Sequence, residues 1–173
     1  EKDVDCLSTK QVQIIKIKKS SSVEGKNIST FVSFETSNNF LKLHLEEINK
    51  CYTYGCYTSA VILIRKIIEH LITEVIKEKF PEDSKEHKEL YLNFKTGHIR
   101  DLSELIKNLR SKSNSFPPDE KKLVQRVLQL SEQFKDDAND KTHSLYHICS
   151  KRELDDKYPQ QILNLIGEVF EKY

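Results

Sequence analysis

The amino-acid sequence predicts a mainly α-helical domain, and three features of the chain predict it. Glycine and proline number only four each in 173 residues, so long stretches run without a helix breaker. From Thr36 onward, apolar residues recur at three- and four-residue spacing. Hydrophobic residues make up 37% and charged residues 32%, which is too apolar and too evenly charged for a disordered chain.

Residues 1–36 depart from the helical pattern. Residues 11–19 and 28–34 are rich in β-branched and aromatic side chains, with a turn-like stretch of serine, glycine and asparagine between them. This arm reads as a β-hairpin; the alternative is an irregular arm lying on the main body. The helical domain spans residues 37–173.

Thr36 or Ser37 can cap the first helix, because a short side-chain oxygen satisfies a free first-turn N–H. Leu41, Leu45, Ile48 and Tyr52 form its apolar stripe, and Gly55 suits its end. A longer helix runs from about Tyr57 to Lys79. Its apolar set, from Ala60 and Val61 to Val75 and Ile76, is wide enough to make it the central helix, and Phe80-Pro81 stops it. Residues 82–97 are polar and predict a surface loop. Ile99, Leu102, Leu105, Ile106 and Leu109 predict a third helix, and residues 113–118 break it. A fourth helix begins near Asp119, with Leu123, Val127, Leu130 and Phe134 inward, and residues 136–140 are expected to interrupt it. A short helix carrying Leu145 and Ile148 follows. The last runs from about Pro159 to Tyr173, with Ile162, Leu165, Ile166, Val169 and Phe170 inward. No internal repeat supports a solenoid.

The same composition excludes several classes. A net charge of +1 provides no global field to draw the chain onto nucleic acid or acidic lipid, so any RNA contact must come from a local patch. The basic clusters are Lys16, Lys18 and Lys19, and Lys121, Lys122 and Arg126; a solvated face is the plainer reading of both. No apolar run reaches bilayer-spanning length, and neither a signal peptide nor a membrane partner is expected. Cys6, Cys51, Cys56 and Cys149 show no paired spacing, which points to buried free thiols and a cytoplasmic location. The chain contains no methionine; we expect a processed N-terminus, or a fragment lacking an upstream domain. No Gly-rich phosphate loop, nucleophile elbow or catalytic carboxylate pair is evident, and no cofactor is expected.

Three constellations carry possible chemistry. Asn139 and His143 are four apart and would share a helix face; their plainer reading is a helix start, with Asn139 or Asp140 as the cap. Arg65 lies beside the buried stripe of the central helix, where a guanidinium demands a partner; Glu69 is one turn away, and Asp136, Asp137 or Glu46 could also reach it. The structural reading is an ion pair; the functional reading makes Arg65 a phosphate holder near His143. Cys51, Cys56, His143 and His147 could in principle hold zinc, but Cys-x4-Cys across a glycine turn is poor ligand spacing, and no metal is expected.

Residues 46–71, with Tyr52, Gly55, Ala60, Arg65 and Glu69 in order, resemble the opening helical pair of HEPN-like domains, including those of unknown function beside prokaryotic restriction and defence genes. Asn139-Asp140-Lys141-Thr142-His143 looks like the family's Asn-x-x-x-His segment, and a closing apolar helix follows. The resemblance covers about residues 37–173. It implies an antiparallel bundle of five to six helices, a symmetric homodimer and, in many members, a metal-independent endoribonuclease with an Arg-x(4–6)-His motif. Histidine would move protons and arginine would hold the scissile phosphate. Here the three motif positions before His143 carry Ala138, Asp137 and Asp136. The resemblance therefore implies a degenerate site, with Asn139 and His143 retained, and Arg65, Glu69 and Lys141 as candidate binding residues. The expected role is an RNA- or nucleotide-binding or protein-interaction module in a defence or toxin–antitoxin-type system, with RNA, a nucleotide or a partner protein as ligand. The alternative is an endoribonuclease using His143 and an arginine from elsewhere in the fold.

Overall fold

A computed structural model describes residues 27–143 and 148–171, without the side chains of residues 137 and 139–143. The predicted class holds: five helices of ten residues or more build a bundle, and the one sheet among the described residues is a two-stranded hairpin.

Helix α1, Asn39–Thr53, buries Leu41, Leu45 and Ile48 as the spacing predicts. Its cap is Asn38 rather than Thr36 or Ser37; the Asn38 side chain accepts the Phe40 N–H. At its end Gly55 takes φ +81, the left-handed conformation that glycine adopts without a Cβ penalty. The Cys56 N–H then reaches back 2.8 Å to the Cys51 carbonyl and closes the helix. Helix α2, Tyr57–Lys79, is central as expected, packing on α1 and on the helices introduced below as α4, α5 and α7.

Residues 82–97 are not a plain surface loop. They form helix α3, Lys85–Glu89, capped by Ser84, and a hairpin of β1, Leu92–Asn93, with β2, His98–Ile99. Leu90 and Tyr91 are buried, and the Tyr91 hydroxyl donates to Glu82 Oε1 at 2.6 Å. Burial and that carboxylate push the Tyr91 phenol up to about 12. Ile99, expected on a helix, is instead exposed on β2. Helix α4, Leu102–Ser111, begins after it with Asp101 as cap and buries Leu102, Leu105, Ile106 and Leu109.

Helix α5, Pro118–His143, runs straight through residues 136–140, where an interruption was expected. Ala138 in that stretch is buried, so one small apolar residue keeps the acidic run anchored to the core. Its buried face also differs from the predicted stripe: Val124 and Leu128 are fully buried, while Leu123 and Leu130 are only partly so. Of the short helix expected next, Leu145 lies outside the described residues and Ile148 is exposed in irregular backbone. Helix α6, Lys151–Asp155, follows with a Ser150–Glu153 capping box. Helix α7, Pro159–Phe170, packs on α5 and α2 and buries Leu163 in place of Leu165.

The arm's first half, residues 1–26, lies outside the described residues. Residues 27–36 form no β-ladder among the described residues. They run along α1 and α7 with Val32 in the core.

Two contrasts test this packing. Ile68 is fully buried and Ile62, on the same helix, is 46% exposed. In urea denaturation Ile68→Ala is expected to cost about 2–5 kcal/mol, and Ile62→Ala less than about 0.5 kcal/mol. Ser131 is buried with its Oγ lacking a partner among the described residues. Ser131→Ala is therefore expected to raise stability by up to about 1 kcal/mol, and a loss above that size would show that the hydroxyl is bonded.

Candidate functional site

Asn139 and His143 occupy the last turns of one continuous helix. Four residues apart, they share a face of α5. Neither Asn139 nor Asp140 starts a helix, because both lie inside α5, which begins at Pro118. The side chains of Asn139, Lys141 and His143, and all of His147, lie outside the described residues. Among the neighbours, Ala138 is 0% exposed, and Asp136 is exposed with Lys135 Nζ 2.9 Å from its carboxylate.

The second half of the predicted constellation sits on α2. Arg65 and Glu69 are one turn apart and both partly buried. Glu69 lies near the start of α4, where the Asp101 charge and the Leu102 backbone N–H act on its carboxyl. Burial pushes the Glu69 carboxyl up. The Asp101 charge pushes the same way, while the Arg65 charge and the Leu102 N–H draw it down; the net shift is upward. The Arg65 charge acts on Glu69 one turn away on the same helix.

Next to it lies a group that sequence reasoning missed. Phe40 lies between His44, at 4.0 Å between ring centroids, and His70, at 5.0 Å, with both pairs of rings tilted, and Lys66 Nζ stands 5.4 Å from the Phe40 ring centroid. Phe40, Lys66, Glu69, His70, Thr73, Glu74, Lys77 and Ile99 surround an open cavity of about 220 Å³. Burial lowers the His70 imidazole from its ordinary value. A neutral ring suits the 3.4 Å contact in which Asn38 Nδ2 donates to Nε2. The signal available in the sequence was the Phe40–His44 spacing of one turn; only the antiparallel pairing of α1 with α2 brings His70 to it.

A third cluster joins α1 to α6. Tyr52 donates from its hydroxyl to Asp155 Oδ1 at 2.7 Å, and Lys151 Nζ donates to Asp155 Oδ2 at 2.6 Å. Burial pushes Asp155 up, but the bonds from Lys151 and Tyr52 outweigh it and hold the carboxyl below its usual range. The thiols do not form the buried set expected. Cys149 is buried, Cys51 is partly buried and Cys56 is exposed. Burial raises the Cys51 thiol, with the Cys56 and Glu47 charges adding to it. No group able to hold a metal ion occurs among the described residues.

Comparison of the chain with protein-family models, with curated proteins and with solved structures returns no match. No helix among the described residues is long and apolar enough to cross a membrane.

The folded protein holds the Glu69 proton more tightly than the unfolded chain does. Stability from this group is thus present below the ordinary carboxylate range and is lost as pH rises through the raised value. Carboxyl carbon NMR titration is expected to place Glu69 above the usual glutamate range, and higher still in Arg65→Ala. Glu69→Gln should remove this contribution to the pH dependence of stability. A Glu69 titration unchanged by Arg65→Ala would show that the two charges are not coupled.

Proposed function

We propose that the chain is a dimerising, HEPN-like helical domain with a degenerate active site. It serves as an RNA- or nucleotide-binding or protein-interaction module in a defence or toxin–antitoxin-type system. The order of its parts supports the reading: a helical pair closed by a glycine turn, Arg65 and Glu69 on the second helix, an Asn-x-x-x-His segment late in a long helix, and a closing apolar helix.

One observation carries the word degenerate. Ala138 stands five residues before His143, where such a motif places arginine, and it is fully buried on an unbroken helix. A guanidinium at that position would enter the core, where an unpaired charge costs several kcal/mol even after relaxation. The position belongs to packing. His143 therefore lacks a phosphate-holding cation at that position. The enzyme alternative requires a cation from elsewhere, and Arg65 already acts on the half-buried Glu69.

Removing one electrostatic contact to a transition state typically slows a reaction by ~10²–10³. The purified chain is accordingly expected to leave single-stranded and structured RNA intact in excess EDTA. Cleavage that survives EDTA and disappears in His143→Ala would replace this reading with the endoribonuclease. For assembly, light scattering at micromolar protein is expected to give a dimer, through a two-fold interface with His143 near the shared cleft. A monomer across that range counts against the dimer.

A further inference from the structure

The turn from α1 into α2 carries two cysteines, Cys51 and Cys56. Along the chain their spacing looks poor, but two backbone hydrogen bonds fold the turn back on itself. The Cys56 N–H donates to the Cys51 carbonyl at 2.8 Å, and the Gly55 N–H donates to the Tyr52 carbonyl at 3.2 Å, with Gly55 at φ +81. Together these bonds make a Schellman turn, in which the side chains of the two outer residues commonly meet. Covalent geometry bounds their separation. An N···O distance of 2.8 Å, extended by the N–Cα bond of Cys56 and the Cα-to-O span of Cys51, holds the two Cα atoms within about 6.7 Å. A disulfide accepts Cα separations of roughly 4.4–6.8 Å. Both residues are free thiols. Cys56 is exposed and its side chain caps no N–H of α2, so neither packing nor a cap bond fixes its rotamer. Cys51 is partly buried; burial raises its thiol and the Cys56 charge adds to it, as expected of sulfurs close together.

We propose that Cys51 and Cys56 are a reversible dithiol–disulfide site, oxidised by a small-molecule disulfide of the glutathione class. The exposed Cys56 thiolate attacks one sulfur of that disulfide. Its S–S bond breaks, and one small thiolate leaves and takes up the proton that Cys56 released. Cys51 then loses its proton and attacks Cys56 Sγ. The mixed S–S bond breaks, the second small thiolate leaves and takes up that proton, and the bond between the two protein sulfurs forms. Two protein thiols are oxidised by two electrons, and one small disulfide is reduced to two thiols. Cys149 takes no part, because a buried thiol is out of reach of the oxidant. The bridge pins the corner that joins α1 to α2. Only that turn carries the site, which is independent of the HEPN-like reading and of His143.

The test incubates the folded full chain with excess oxidised glutathione, alkylates the remaining thiols and digests the product with trypsin. Residues 51–65 follow Lys50 and end at Arg65, so one peptide holds both cysteines, while Cys6 and Cys149 fall on others. Mass spectrometry is expected to find that peptide internally bridged, and reduction to open it. Cys51→Ser is expected to stop at the mixed disulfide on Cys56, and Cys56→Ser to leave Cys51 mainly alkylated. In glutathione redox buffers the folded pair is expected to show an effective concentration at least tenfold above that of the same chain unfolded in guanidinium. A wild-type peptide that keeps glutathione on Cys56 with Cys51 alkylated overturns the proposal. So does a disulfide from either residue to Cys6 or Cys149, or an effective concentration less than tenfold above the unfolded chain's.

Discussion

Helix α2 carries ten buried side chains, spread so widely around its axis that no single neighbour can cover them. Covering them requires α1, α4, α5 and α7 together, and the bundle is the arrangement that does so. Full burial of an aliphatic side chain contributes about 1.5–3 kcal/mol, so this one helix supplies much of the drive for collapse. The polar features depend on it as well. Glu69 and the charges that act on it sit on or beside α2, and the Thr58 hydroxyl on its first turn accepts the Cys149 N–H.

The outer helices solve a different problem. Residues 29–34 bring backbone groups to the edge of the core without a β-ladder to satisfy them. Buried or half-buried amides need partners, and the carboxamides of Asn49 and Gln160 provide donor and acceptor together. A carboxamide presents the same pair of groups as a neighbouring strand. This explains how a segment with β-rich composition is held extended against helices.

On α5, packing and chemistry compete for the same residues. Residues 135–140 are dominated by charge and look like a break, yet Phe134 and Ala138 are four apart and both buried. Two apolar contacts one turn apart suffice to carry the helix past a run of aspartates, and they align Asn139 and His143 on one face. The same burial closes position 138 to a charged side chain.

The sequence by itself determined the helical class, the central place of α2, the stripe of α1 and the glycine turn that ends it. These follow from periodicity and from local backbone preference, both written in neighbouring residues. It also placed Arg65 and Glu69 one helical turn apart, close enough for the Arg65 charge to draw the Glu69 carboxyl down. The rest depended on partners far along the chain. The cap at Asn38, the burial of Tyr91, the shift of α5's inward face to Val124 and Leu128, and the meeting of Phe40 with His70 are decided by which helix lies alongside. Asn49 and Gln160 carry no local signal at all, because an exposed amide and an amide that holds a backbone segment read alike in one dimension. Only the tertiary structure places Ser33 beside Gln160, 127 residues away, and makes the difference.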